Sequence, residues 1–339
     1  MSELVPLPTQ PAGIAYPTEN WPTGEPEAAV DGGRLRELAR LPFEGTDRFG
    51  ETLALLVVHR GRLVFERYGD GYGPNETYRS WSMAKSLTHA LIGLLLRDGK
   101  LSLEGAAPVP RWKPGDPRHA ITLEHLLRMQ DGLEFVEEYL PGSNSNVIEM
   151  LFRKGKDDVA AYAESCDLAH APGTHWNYSS GTTNVIAAIA GRAIGGGREE
   201  TRAYLDRELF AKLGMKSATP RFDAAGTFIG SSYVFASARD FARFGLFYLR
   251  DGTWEGERIL PEGWVDHART TTSGSAGEYG AHWWLRLAAE DSFYCSGFQG
   301  QYTLCSPSRD LVIVRLGVST PEQREPLVPW FRELVMLFD

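Results

Sequence analysis

A serine and a lysine three residues apart, Ser82 and Lys85, open a stretch from Ser86 to Leu96 that carries no formally charged side chain. Residues three apart share one face of a helix, so the amine can rest against the hydroxyl while apolar surroundings penalise the ammonium. That pairing turns a serine into a nucleophile. A free lysine titrates near ~10.4, and bringing it to ~7 requires roughly 4 to 5 kcal/mol of differential destabilisation, which burial can supply. Four residues alone recur by chance in a chain of this length, and an N-capping serine followed by an ordinary lysine is the competing description. Partners elsewhere in the chain decide between the two.

Two further stretches are candidates. Tyr178, Ser179 and Ser180 follow Pro172, Gly173 and Thr174 and precede Gly181 and a helix, a setting from which a phenol can project into a cleft. Cys295, Ser296 and Gly297 end one predicted strand, and Phe298 to Gln301 begin the next. A small residue and a glycine at a strand edge let a substrate carbonyl approach the backbone closely. The amide of Phe298 could then pair with that of Ser82 as an oxyanion hole. Read singly, the tyrosine is a loop residue and the glycine a hairpin corner.

Taken in order, with Leu123 to Leu127 and the Ala238 to Gly245 helix, these stretches resemble the serine β-lactamase and penicillin-binding-protein superfamily, nearest its class C and esterase branch. The resemblance runs from about Leu53 to the end. It implies Ser82 as the acyl-accepting nucleophile and Lys85 as the group that keeps Tyr178 partly deprotonated or relays its proton. It makes Tyr178 the base in acylation and then the acid to the leaving group, with Ser180 helping to hold Lys85 and the leaving group. Trp81 with Ser82 to Ser86, the Glu137 to Tyr139 stretch and the Gly297 to Gln301 run look most like 6-aminohexanoate-dimer (nylon oligomer) hydrolases and neighbouring carboxylesterases. Tyr139 then corresponds to a loop tyrosine that closes on the substrate. Cys295 stands where β-lactamases and transpeptidases carry a cation, so recognition of a substrate carboxylate loses its usual partner. The implied function is a serine hydrolase of carboxylic esters, and of linear amides, working through an acyl-enzyme. A class C-type β-lactamase or D-alanyl-D-alanine carboxypeptidase is the first alternative, and a catalytically silent ligand-binding homologue the second. Trp81, Tyr139, Ser180, Cys295, Ser296 and Gly297 form the expected supporting or substrate-binding set. No cofactor and no metal is expected, because His170 and His175 lack helical i, i+4 spacing and the remaining histidines are scattered.

The elements that must position these residues can be read from periodicity. Residues 1–33 form a Pro-rich, extended lead-in, turning helical from Arg34 to Arg40. Leu53–Val58 and Arg62–Tyr68 read as two strands with a tight turn between them. Helical spacing marks the Ser82 helix to Asp98 and Gly99, the segment Ile121–Met129 with Thr122 as its cap and Asp131 and Gly132 as its stop, and Val147–Phe152, Asp157–Glu164, Thr183–Ile194 and Glu199–Leu213. Arg239–Arg250 is amphipathic. Trp283–Leu287, Ser292–Ser296, Gln301–Cys305 and Leu311–Leu316 are strand-like, and a helix runs from about Pro321 to Phe338. The expected class is α/β (α+β), a largely antiparallel sheet flanked by helices plus an inserted helical lobe. Residues 34–81 and 221–339 make the sheet domain and 82–220 the helical one, with the site at their junction.

Composition bounds the partners. A net charge of −9 across 339 residues, with no basic stripe, argues against nucleic acid. The Pro-rich beginning has no basic start or apolar h-region of a signal peptide, no run approaches the length of a membrane span, and three cysteines are too few and too odd for a disulfide framework. These observations point to a cytoplasmic enzyme acting on a small molecule, with a homodimer as the assembly to test.

Overall fold

The run Leu53 to Val58 is apolar at nearly every position because its strand is covered on both faces. In the computed structural model, which describes residues 4–139 and 145–339, strand β1 (Glu51–His59) turns through Arg60 and Gly61 into β2 (Arg62–Tyr68). Both turn residues have positive φ, 50° and 73°, the conformation that matches a two-residue hairpin to strand twist. Strands β3 (Trp284–Leu285), β4 (Phe293–Gly297), β5 (Gln301–Ser306) and β6 (Leu311–Val318) come from the other end of the chain. They complete one sheet in the order β2-β1-β6-β5-β4-β3. The two hairpins meet where β1 runs antiparallel to β6, from Glu51 opposite Val318 to His59 opposite Leu311.

Alternation along β1 divides the core. Leu55 and Val57 face one cluster, with Ile313 and Leu304, beneath helices α1 (Gly32–Glu44) and α6 (Leu327–Met336). Ala54, Leu56 and Val58 face the other, larger cluster. That cluster holds α2 (Ala84–Arg97), α3 (Ser180–Ile194) and α4 (Ala238–Leu249). Helix α2 is buried at every position from Ala84 to Leu95, so its lack of formal charge is a packing requirement. Between Ala84 and Leu213 the described residues hold helices and no strand.

Three expected elements differ in detail. The helix after Thr122 ends at Leu127 rather than at Met129, since Met129 takes a positive φ of 59° and breaks the ladder. The segment Arg198–Leu213 contains a wider π turn at Asp206–Phe210. The closing helix is interrupted: α5 (Pro321–Arg324) stops before α6, and Pro326 between them has no amide hydrogen to continue the turn. The lead-in is extended as expected and pinned to the body by side chains. Arg243 Nε donates to the Pro17 carbonyl at 2.7 Å, Arg250 Nε to Gln10 at 2.8 Å and Arg269 to the Val5 carbonyl at 2.6 Å. Among the described residues no helix is long and apolar enough to cross a membrane.

Gly245 shows how tightly α4 lies on the sheet: a Cβ there would stand 2.7 Å from Thr303 Cγ2 and 2.8 Å from Val312 Cγ1. Alanine would improve helix propensity by about 1 kcal/mol, but overpacking two branched side chains costs about 1–3 kcal/mol. Gly245→Ala is expected to lower the urea midpoint without changing the m-value; an unchanged or raised midpoint would mean the sheet yields.

Candidate active site

Ser82 sits in a single 3₁₀ turn, Trp81–Met83, that runs directly into α2. The residue before it is held in an unusual state. Trp81 has φ 46°, a conformation that costs an aromatic residue on the order of 1–3 kcal/mol. Neighbours hold it there: the Arg79 guanidinium lies over its ring at 4.6 Å and the Phe298 ring meets its face edge-on at 5.3 Å. Ser80 is tied to Val234 by two hydrogen bonds, its amide to the Val234 carbonyl at 2.8 Å and its Oγ accepting from the Val234 amide at 3.1 Å.

At the second position of α2, one turn after Ser82, Lys85 is 2 % exposed, and every hydrogen bond its amine makes is to oxygen. Nζ lies 3.1 Å from Ser82 Oγ, 2.9 Å from Ser180 Oγ and 3.1 Å from the Ser231 carbonyl. Burial pulls the Lys85 pKa down to about 8, with the Glu137 carboxylate opposing the shift. The directions of these bonds are constrained. The Ser231 carbonyl can only accept. Ser180 Oγ donates its own proton to Glu137 Oε1 at 2.6 Å, so it too must accept from Lys85. Once Lys85 is neutral, its two N–H groups are committed to those partners, and its lone pair has only Ser82 Oγ to face.

Glu137 is brought to this place by the start of α3. Ser179 caps that helix, its side chain accepting from the Thr182 amide, and the Ser180 amide donates to Glu137 Oε2 at 2.8 Å. Gly181 permits the approach, since a Cβ there would fall 2.5 Å from the Phe135 ring. The same carboxylate accepts from the Tyr139 hydroxyl at 3.1 Å. Tyr178, the last residue before the cap, presents its ring to Lys85 Nζ, 4.8 Å from the centroid. Burial and then the Glu137 charge raise its pKa strongly, with Ser82 and the Trp284 indole pulling the other way. Burial thus favours the protonated phenol at Tyr178, and the Lys85 amine meets its ring face. The resemblance implied that Lys85 keeps this phenol partly deprotonated or relays its proton; burial works against the first of these.

The cleft over these groups has a volume of about 530 Å³ and is lined by Ser82, Glu137, Tyr139, Tyr178, Trp284 and Ser296, with Gly297, Phe298, Pro321 and Arg324 completing it, within the range of a small-molecule site. Tyr139 stacks on Phe298 with ring centroids 4.9 Å apart; residues 140–144, which follow it, lie outside the described residues. Gly297 lets β4 press against the nucleophile turn, because a Cβ there would stand 2.4 Å from the Ser80 carbonyl oxygen. The Gly300 amide closes a turn on the Gly297 carbonyl at 3.2 Å, leaving the Phe298 amide at its outer corner.

The expected residues thus come together with one exception. Cys295 is 2 % exposed and turned into the core, with burial pushing its thiol up to about 12. Strand alternation is the reason: Ser296 faces the cleft, so Cys295 faces the helix beneath. Trp81 does not line the cleft and instead packs against Phe298, which does. Sequence reasoning assigned no role to Glu137, Ser231 or Arg324. Glu137 belongs to a stretch already singled out, whereas a backbone carbonyl such as that of Ser231 leaves no trace in residue type. Among the described residues no cluster of His, Cys, Asp or Glu could hold a metal ion.

Comparison with known proteins bears on this geometry. The profile described as Beta-lactamase matches residues 47–335. A 6-aminohexanoate-dimer hydrolase from Paenarthrobacter ureafaciens is 29% identical over 308 residues, covering 84% of this chain and 77% of that one. A solved structure from Bacillus anthracis, assigned to the 6-aminohexanoate-dimer hydrolases, superposes with a TM-score of 0.76 at 22% identity, covering 95% of this chain and 89% of the other. EstCE1, a hydrolase with promiscuous acyltransferase activity, does so at 0.66 and 15%, over 90% and 98%.

If Lys85 must be neutral to receive the Ser82 proton, the acylation rate rises with pH through an apparent pKa near 8. Glu137 favours the ammonium, so Glu137→Gln is expected to move that limb to lower pH. A pH profile of kcat/KM measures it; a limb that stays put or moves up excludes the coupling.

Proposed function

The chain belongs to the Beta-lactamase family, and from that membership we propose that it is a serine hydrolase of carboxylic esters and linear amides, working through an acyl-enzyme on Ser82. The observation that carries this reading is the forced direction of the Lys85 lone pair toward Ser82 Oγ. Lys85 takes the hydroxyl proton as Oγ attacks the carbonyl carbon. The oxyanion forms against the amides of Ser82 and Phe298. Tyr178, protonated and beside Ser82, gives its proton to the leaving alkoxide or amine, its phenolate takes a proton back from the incoming water, and the Lys85 ammonium returns its own to Ser82 Oγ as the acyl group departs. Water enters with the same groups in reverse, and the acid is released. The curated relative's name, a hydrolase of an amide dimer, supports the linear-amide half of the reading.

Arg324 bears on the substrate. The third-motif position, Cys295, supplies no cation, yet a guanidinium from α5 stands in the wall of the same cleft. A substrate with a terminal carboxylate has a partner there, and a neutral ester does not need one. Among the described residues all three cysteines are free, which supports a reducing compartment such as the cytoplasm.

A panel of short p-nitrophenyl esters, linear amides with a terminal carboxylate and a chromogenic β-lactam tests the assignment on one preparation. Ser82→Ala is expected to lower ester turnover by about 10³-fold or more, and a phosphonate ester should add its mass to Ser82 alone; equal turnover in both proteins sinks the assignment. Arg324→Ala should raise KM for the carboxylate-bearing amides roughly fivefold and leave neutral esters within a factor of about two, as expected for one surface-accessible charge pair of about 1 kcal/mol. A uniform rise across the panel would show that Arg324 does not read the carboxylate.

A further inference from the structure

Arg315 lies in the middle of β6 and is 0% exposed, yet no carboxylate among the described residues pairs with it. A buried charge without a counter-charge costs several kcal/mol unless hydrogen bonds replace its hydration. Here they do. Nη1 donates to the Gly300 carbonyl at 2.8 Å and to that of Gln299 at 3.4 Å. Nη2 reaches the Phe49 and Glu51 carbonyls, Thr52 Oγ1 and Ser319 Oγ at 3.1, 3.2, 3.1 and 2.9 Å, and Nε reaches Thr52 Oγ1 at 3.3 Å. Burial lowers its pKa only to about 10, so the fork stays charged at neutral pH.

One arm of this fork therefore grips the start of β1, and the other grips the turn that follows β4. That turn is conformationally demanding: Gln299 and Gly300 have φ of 65° and 83°. Two close approaches make room for the guanidinium: a Cβ on Gly300 would stand 2.6 Å from Nη1, and one on Gly317 2.4 Å from Cζ. Gln301 holds the same turn from the other side, its Nε2 donating to the Phe298 carbonyl at 3.0 Å and to the Gly317 carbonyl at 2.6 Å. The residue at the corner of this doubly held turn is Phe298.

We propose that Arg315 is a positioning residue for acyl transfer: its buried fork fixes the Gln299–Gly300 carbonyls and so presents the Phe298 amide to the developing oxyanion. This rests on the serine-hydrolase reading above. A hydrolase needs the donor most in the transition state, so loosening the turn reduces kcat and leaves ground-state binding nearly intact. The loss is smaller than the ~10²–10³-fold that follows removal of an oxyanion donor outright, because the amide remains and only its aim is lost.

Arg315→Lys keeps the charge and discards the planar fork; Gly300→Ala pushes the fork from the turn and leaves Arg315 in the chain. Both are compared with wild type on a p-nitrophenyl ester, with rates counted per site labelled by a phosphonate so that unfolded protein does not enter. Each variant is expected to lose about tenfold in kcat, with KM within twofold and the acid limb of the pH profile unmoved. A lower melting temperature with unchanged kcat per labelled site in either folded variant would make Arg315 a structural residue only and overturn the proposal. Should the wild type neither turn over the ester nor take the label, the serine-hydrolase reading falls, and this inference with it.

Discussion

Much of the site's arrangement depends on an amine sealed in a place where an ammonium is poorly tolerated. Lys85 has three oxygens around it and almost no water, so its charge is set by a balance between desolvation and the Glu137 carboxylate two bonds away. Burial is what lowers the pKa, and it also demands the uncharged, fully packed helix on which Lys85 rides. The network is directional as well. Because Ser180 spends its proton on Glu137, the amine cannot turn its lone pair anywhere but toward Ser82. A serine at position 180 thus contributes through what it gives away.

Backbone approach is the second constraint. The nucleophile turn and the end of β4 belong to distant parts of the chain, and they meet because Gly297 has no Cβ to strike the Ser80 carbonyl. The strain at Trp81 is confined by aromatic and guanidinium contacts on both sides. Behind the cleft, the buried Arg315 ties this corner to the junction of β1 and β6, so the Gly297–Gly300 turn is joined to the most extensively paired part of the sheet.

How much was legible in the residues can be judged from particular places. The β1 and β2 strands, their two-residue turn, α2, α3 and α4 were readable because apolar period and turn residues agree there. The closing helix was read as unbroken because its amphipathic pattern continues across Pro326, where the hydrogen-bond ladder does not. Cys295 was read as facing the substrate because its place in a motif was visible and the strand's alternation phase was not. Tyr178 was expected to share its proton with Lys85, but its ring face meets the amine and burial favours the protonated phenol.

The sequence by itself determined which chemical groups were available: a serine and lysine one helical turn apart, a tyrosine and serine ahead of a second helix, and a glycine at a strand edge. Residue type and local spacing carry that information. Only the tertiary structure decided how those groups act together. The direction of the Lys85 lone pair, the protonated form favoured at Tyr178, the recruitment of Glu137 and Arg324 to the cleft and the inward turn of Cys295 all depend on burial and on contacts between segments far apart in the chain. Desolvation and hydrogen-bond direction are properties of a packed environment, and no local pattern of residues encodes them.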